Sequence, residues 1–483
     1  MRVMRDSHAT MAEGAPANDG SARTAAPIAE LRPQDSARQA GLSLGQWLAL
    51  AILIAGLVFA FRHAPTKAGL ILLLTVQFGF LSTAVWRAIL VLTPIERPRA
   101  NAAAPLPRYT ILAALHREAA VAPQLIKRLA IIDYPADRLE GFLLLEAHDA
   151  ETIAAAMATP RPDWLQVLIV PPGAPQTKPR ALNWGLLHAS GDLVTVYDAE
   201  DDPDPRQLRE AAARFAADTA GRVACLQAPL RIRSRWRDRP AAPFLDRQFA
   251  AEYAALFELT LPAMARLGLP FPLGGTSNHF RADVLRAVGG WDAWNVTEDA
   301  DLGFRLWRRG WRLGALTRPT YESPPERLEV WLPQRTRWLK GYMQTVLVHL
   351  RRPLALGPRG LFALSATLVM ALIAAATHAP SLAWVIAGVA VSVRGGVTPD
   401  MPIHALCILL LGAASAWLTC FVGARRAGVR YGVAEMLSAP AYWSLTSLAL
   451  IHSLWRLIAE PHKWDKTPHQ PDEPPLDTGR DFD

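Results

Sequence analysis

The sequence predicts an α/β domain, built on a mainly parallel sheet, set between two groups of membrane-spanning helices. Three observations predict it. Of the 483 residues 51% are apolar, and the mean hydropathy of +0.12 is high for a chain that lives wholly in water. The longest uncharged runs fall towards the two ends and leave a central region, 94–358, that has none. Within that region short continuous apolar runs alternate with stretches of helical spacing, the pattern of strands covered on both faces by crossover helices.

Residues 1–40 are rich in Ala, Pro and Asp with scattered Arg and no apolar stretch, so they are expected to form a disordered tail. The first apolar run begins too far into the chain for a cleaved signal peptide. Leu44 to Phe61 carries no charge and Gly69 to Leu92 only Arg87, and each is long enough for a hydrocarbon core about 30 Å thick. Residues 41–93 are therefore expected to supply two spans. Arg2, Arg5, Arg23, Arg32 and Arg38 precede them, while Arg97, Arg99, Arg351, Arg352 and Arg359 flank the central region. Basic flanks stay on the cytoplasmic side, which puts tail and central domain in the cytoplasm against the inner membrane.

In the central region, Arg108 to Leu115, Gly141 to Leu145, Trp164 to Val170 and Asp192 to Tyr197 read as strands, with helices expected over Val121 to Ile132 and Ala181 to Ala189. Ligands of such sheets lie beyond the carboxyl ends of the strands. The residues expected to converge there are Glu118, Glu146 with Asp149, and Asp198 with Glu200.

Beyond the domain, in 359–458, Leu361 to Thr377, His404 to Val422 and Ala439 to Ile458 read as spans. Leu382 to Val393 is short enough for a re-entrant or tightly packed helix. Arg425, Arg426 and Arg430 also belong on the cytoplasmic side, favouring three helices and a partial one over four full spans. A polar tail, 459–483, follows. Cys225, Cys407 and Cys420 form no CxxC pair, which excludes a cysteine zinc site and a disulfide framework. The net charge of +8 is explained by membrane-flanking and helix-surface Arg, and no interleaved basic and aromatic patch points to a nucleic acid.

The stretch VYDAEDDPDP, Val196 to Pro205, puts five acids behind the fourth strand. Two carboxylates two residues apart, Asp198 and Glu200, point the same way from an extended chain and suit one hard cation, Mg2+ or Mn2+, whose other positions go to water and phosphate oxygens. An acidic helix start is the competing reading, since Asp202 and Asp204 beside prolines suit a cap and a first turn.

The segment QTKPRALNWGLLHASGDLVTVYDAEDDPDP is similar to the nucleotide-sugar-binding core of family 2 glycosyltransferases, in which K-x-x-A-L-N precedes a strand ending in a D-x-D-like motif. Gly274 to Asp292 (GGTSNHFRADVLRAVGGWD) resembles that family's acceptor-side segment, Asn295 to Arg312 its T-E-D segment, and Gln334 to Trp338 (QRTRW) the Q-x-x-R-W signature of its processive, membrane-integrated, cellulose synthase-like members. Glu460 to His469 resembles the sequence that follows their last membrane helix. The resemblance implies a GT-A fold, the Rossmann-like fold of nucleotide-diphospho-sugar transferases. It implies that Asp198 and Glu200 hold the metal, with Asp201 left as an alternative to Glu200. Asp299 takes the place of the general base, with Glu298 its competitor; helix capping by Thr297 and these acids accounts for the same pattern. Gln334, Arg337 and Trp338 take the acceptor side, with Gly275 and Thr276 offering close backbone approach; Trp338 also suits a membrane-interface anchor. Glu118, Glu146, Asp149, Lys178, Arg180 and Asn183 fall where nucleotide and diphosphate bind, although EAHD stands where the family has paired Asp.

The expected function is inverting transfer of a sugar from a nucleotide donor, a UDP-sugar for preference, to a growing polysaccharide at the cytoplasmic membrane face, with an accessory export partner allowed for. A single transfer onto a lipid-linked acceptor and a non-catalytic nucleotide-binding scaffold are the alternatives.

Overall fold

Residues 27–39, 41–95, 105–233, 243–395, 403–464 and 471 are described by the computed structural model. Four apolar runs form strands β1 (Tyr109–Leu115), β2 (Leu139–Glu146), β3 (Leu165–Val170) and β4 (Leu193–Tyr197), paired in parallel in the order β3-β2-β1-β4. A short strand β5 (Asp202–Pro203) follows. Next come β6 (Val223–Gln227), β7 (Leu230–Ile232), β8 (Asn278–Arg281), β9 (Arg312–Ala315) and β10 (Thr320–Glu322). β8, antiparallel to both neighbours, joins β4 to β6 and β9 and completes a seven-stranded sheet. β5, β10 and β7 form a separate three-stranded sheet.

The helices are α1 (Leu44–His63), α2 (Pro65–Leu92), α3 (Ala122–Ala130), α4 (Ala150–Ala158), α5 (Lys178–His188), α6 (Gln207–Ala217), α7 (Phe244–Ala255), α8 (Leu261–Arg266), α9 (Ala282–Ala287), α10 (Glu298–Arg308), α11 (Leu328–His349), α12 (Gly357–Leu364), α13 (Met370–Val393), α14 (Ile403–Ala427) and α15 (Val433–Ala459). Side chains alternate across β1: Tyr109, Ile111 and Ala113 join Leu125 of α3 and Leu208 of α6 in one core, while Leu112 joins Leu182 and Leu186 of α5 in the other. Strand order reverses between β1 and β4, which opens a crevice at their carboxyl ends. A buried chain from Tyr109 through His279 to Gln207 (2.5 and 3.1 Å) ties β1, β8 and α6 together behind it.

Four helical stretches among the described residues are long and apolar enough to cross a membrane: Leu44–His63, Pro65–Leu92, Pro353–Val393 and Leu406–Ala427. Two expectations change here. Leu361 to Thr377 and Leu382 to Val393 are parts of one continuous stretch, which passes through a π-helical turn at Ser365–Val369 and keeps Pro380 inside α13. In lipid a break would strand backbone groups, and Ser447 of α15 accepts the Ala379 N–H at 3.3 Å beside the proline. The last segment, α15, is not a span of this kind. Its first turn is held by Gln248 of α7, which donates to the Glu435 carbonyl (2.8 Å), and its end by Lys340 of α11, which donates to the Glu460 carbonyl (3.1 Å). Both ends are tied to the α/β domain, and between them α15 packs on both α11 and α13.

The tail also departs from expectation. Residues 27–39 are seated on the domain, with Asp35, Ser36 and Ala37 buried, because the domain offers partners for this polar segment. Residues 1–26, with Arg2, Arg5 and Arg23, and Arg97 and Arg99 lie outside the described residues, as do 465–470 and 472–483 of the second tail.

Candidate active site

β4 ends on Tyr197, fully buried, and the chain emerges at Asp198 into a tight turn. The Asp201 carboxylate closes that turn: it accepts the Asp198 N–H (2.7 Å) and the Thr276 hydroxyl. Burial pushes the Asp201 carboxyl well up, and neighbouring Asp198 and Glu200 add to the rise. Asp202 pairs with Arg233 and Asp204 with Arg318 (3.1 Å). Of the five acids, Asp201, Asp202 and Asp204 thus hold the loop to itself and to the domain, and Asp198 and Glu200 are the two that could hold a cation. Among the described residues no three His, Cys, Asp or Glu side chains gather as a metal cage.

Asp198 is in close contact with the Lys178 ammonium, which also donates to the Gly275 carbonyl (2.7 Å). Burial alone would lower the Lys178 pKa, yet Asp198, Glu298 and Asp201 together raise it. Lys178 therefore stands between the cation pair and the acids of α10. There Glu298 is buried and Asp299 half-buried, with the Ala300 N–H donating to Asp299 Oδ1 at 2.7 Å. Burial raises the Asp299 carboxyl to about 6, while the Ala300 N–H, Lys178 and Arg337 hold it from rising further. Glu298 rises to about 8 through burial and the adjacent Asp299. Burial thus pushes both carboxyls up, Glu298 the further of the two. Gly275 faces Asp299: a methyl at its Cα would lie 3.5 Å from Asp299 Oδ2 and 3.9 Å from Lys178 Nζ. Thr297 makes no side-chain cap to α10; its N–H is accepted by Asn295 Oδ1 (3.0 Å).

Several expected nucleotide contacts serve the scaffold. Glu146 accepts two hydrogen bonds from Arg180 (2.9 and 2.8 Å). Asp149 caps α4 and accepts the Arg117 N–H. Although burial opposes it, these bonds hold the Asp149 carboxyl below its usual range. Asn183 clamps the Trp291 backbone, donating to its carbonyl (2.7 Å) and accepting its N–H (2.9 Å). The Glu118 N–H donates to Thr152 Oγ1 (2.9 Å). Thr276, expected beside the acceptor, is buried with its hydroxyl on Asp201 and the Val196 carbonyl, so its side chain braces the loop after β4. At the same strand ends the sequence reading passed over His116 and His148, whose rings are 5.4 Å apart, and Gln176, 2.8 Å from His148. His116 follows the first strand in the string HRE, and His148 lies in EAHD.

On the other side, α11 brings Trp338 to Phe249 and Tyr253 (ring centres 6.0 and 6.1 Å apart). Arg335, which the sequence reading passed over, lies 4.7 Å over Trp338, pairs through both nitrogens with Glu252 and donates to Tyr442 of α15 (2.9 Å). Gln334 is half-buried on this helix, and Arg337 stacks over Trp464 at 4.5 Å. Glu322 on β10 was also missed; burial, then Asp201, Glu200 and Asp198, raise its carboxyl well above the usual range.

The family described as glycosyl transferase family group 2 matches residues 193–420, from β4 through most of α14. A beta-monoglucosyldiacylglycerol synthase of Synechocystis is 30% identical over 253 residues, 51% of this chain and 50% of that protein. A UDP-forming cellulose synthase catalytic subunit of Komagataeibacter sucrofermentans is 30% identical over 187 residues, 37% of this chain and 24% of that protein. The chain spans about half the length of the first curated relatives it matches. In fold it is similar to a mannosyltransferase of Pyrobaculum calidifontis, solved with GDP-Man and Mn2+, at a TM-score of 0.53 and 19% identity, covering 80% of this chain and 97% of that one.

Proposed function

This chain carries a family 2 glycosyltransferase domain of GT-A fold among membrane helices, and on that premise we propose that it transfers a sugar, with inversion, from a nucleotide-diphospho-sugar to a hydroxyl of a glycan at the membrane surface. The observation that carries this is that the Lys178 ammonium links the two acidic segments: it meets Asp198 and the Gly275 carbonyl, and Gly275 faces the Asp299 carboxylate. Leaving diphosphate and attacking hydroxyl need charge of opposite kinds on opposite faces of one sugar.

Asp299 takes the proton of the acceptor hydroxyl, whose oxygen bonds to the anomeric carbon as the bond from that carbon to the diphosphate breaks. Glu298, holding its proton, keeps a second negative charge away from Asp299. Lys178 attracts the diphosphate. Trp338, set on Phe249 and Arg335, offers an indole face to the acceptor sugar. Asp198 and Glu200 are the residues that would hold Mg2+ or Mn2+, which supplies charge neutralisation of the leaving diphosphate.

A lipid-linked acceptor is the second reading. It is favoured by the seat of Trp338: its helix packs on α15, whose Leu448, Ile451, Leu454, Trp455 and Ile458 are exposed and suit a lipid surface. A cytoplasmic face follows from the Arg flanks alone.

The test is turnover by the full-length protein in nanodiscs, with UDP- and GDP-sugars, with and without Mn2+, against polysaccharide primers and diacylglycerol lipids. Asp299→Asn is expected to lower kcat by about a hundredfold or more while donor binding persists. Undiminished turnover in that variant would remove Asp299 as the base, and donor binding with no turnover under any condition would leave the scaffold reading.

A further inference from the structure

The loop Asp292–Thr297 leads directly into Glu298 and Asp299, and residues far apart in the chain hold it. From the N-terminal segment, the Ser36 hydroxyl and the Ala37 N–H donate to the two oxygens of buried Asp292 (2.9 and 2.6 Å), and the Arg38 guanidinium lies 5.5 Å over Trp294. From the segment after α15, His462 meets the same Trp294, edge to face at 5.1 Å, with its Nδ1 3.0 Å from the Trp294 carbonyl. Gln344 of α11 joins the two sides: it accepts the Val296 N–H (3.2 Å) and donates to the Pro461 carbonyl (2.8 Å). Thr177, just before Lys178, donates to the Ala293 carbonyl (3.0 Å).

The N-terminal segment is itself well anchored. Ala29 donates to the Arg286 carbonyl (2.9 Å), Asp35 pairs with Arg308 at the end of α10 (2.8 Å), and Arg351 donates to the carbonyls of Ser36 (2.8 Å) and Gln39 (2.6 Å). Only a few residues later α1 enters the apolar region, and its Gln46 donates to the Leu347 carbonyl of α11 (2.8 Å). One polar segment thus joins the first membrane helix to both ends of the unit that bears Asp299: Asp292 before α10, and Arg308 at its last residue.

We infer that residues 27–39 form a strap that positions the base, with Asp292 as its positioning residue, so that Asp299 meets the acceptor only while the strap is seated. The inference rests on the transferase reading above. Fixing one loop by its buried carboxylate removes the freedom that would otherwise let Asp299 drift, and a displacement of about 1 Å at a reacting group can cost on the order of a hundredfold in rate. The strap's own partners are Arg286, Asp292, Trp294, Arg308 and Arg351 and not Asp198 or Lys178, so donor binding is not held by it directly.

The full-length protein in nanodiscs, as wild type, Arg351→Ala and Asp292→Ala, is read by amide hydrogen exchange and by donor kinetics. Arg351→Ala unseats the strap from the far side and leaves the loop sequence intact, which guards against a simple folding defect in Asp292→Ala. In both variants faster exchange in 29–39 is expected to be accompanied by faster exchange in 292–299, a kcat lowered about tenfold or more, and a donor Kd changed by less than about twofold. Faster exchange in 29–39 with unchanged exchange in 292–299 or unchanged kcat would overturn the strap. Exchange needs no turnover, so if the wild type transfers nothing the transferase reading fails while the grip of strap on loop is still decided.

Discussion

The loop after β4 and the loop before α10 are both acid-rich, and they are held differently. Asp198 to Asp204 is closed on itself by Asp201, which reaches back three residues to the Asp198 N–H, and its tie to distant Arg318 is a partly exposed pair. Asp292 to Asp301 is a meeting point, held by residues up to 256 positions away. Asp301 is fully buried between Arg305 (3.0 Å) and His349 (3.0 Å), so α10 is pinned to the end of α11. A loop whose acids could serve a cation can be left partly open, because substrate and cation would finish the coordination. An acid proposed as the base has no such help and must be placed by the protein, so its surroundings are buried and non-local.

That contrast makes the second loop the more fragile. Asp301→Ala leaves Arg305 and His349 in the interior without their carboxylate and is expected to cost about 3–5 kcal/mol, seen as a lowered midpoint of thermal unfolding. Burial opposes ionisation of Asp301, but Arg305 and His349 hold its carboxyl below the usual range, so the charge lost is a real one. A tolerated Asp301→Ala would show that the two loops do not differ as described. Activity should carry the same mark. With the Asp299 carboxyl raised to about 6 by burial, kcat/KM should rise about tenfold per pH unit below that value and level off above it, since the ionised form is the base. In Asp299→Asn any residual rate should lack this limb; an unchanged acid limb in that variant would assign it to another group. The smallest effect falls on the first loop. Asp204→Ala removes a partly exposed pair with Arg318, for which about 1 kcal/mol or less is expected, and a loss as large as that of Asp301→Ala would erase the distinction.

The strands of the parallel half were legible because β1 to β4 are continuous apolar runs, and Asp198 was legible because it stands where one of them ends. Strands β6, β8 and β9 were not placed by pattern: β8 runs antiparallel between β4 and β6, and a pairing of that kind is decided by the partners. The partners of Glu146, Asn183 and Thr276 were not legible for a related reason. Each has the right residue type near the right strand end, yet each is engaged by a partner the sequence does not reveal: Arg180, the Trp291 backbone and Asp201. Arg335 was hidden inside QRTRW between two residues that drew attention, and its partners Glu252 and Tyr442 come from α7 and α15.

By itself the sequence determined the apolar helices, the parallel strands and the order of the acid-bearing segments, because periodicity and uncharged length act over a few neighbouring residues. Only the tertiary structure decided that both ends of α15 are tied to the domain, that residues 27–39 are seated beside the loop leading to Asp299, and that Asp201 closes a turn while Asp198 meets Lys178. Those outcomes depend on which buried polar group finds which partner. Burial makes each such match worth far more than the local preferences of the chain.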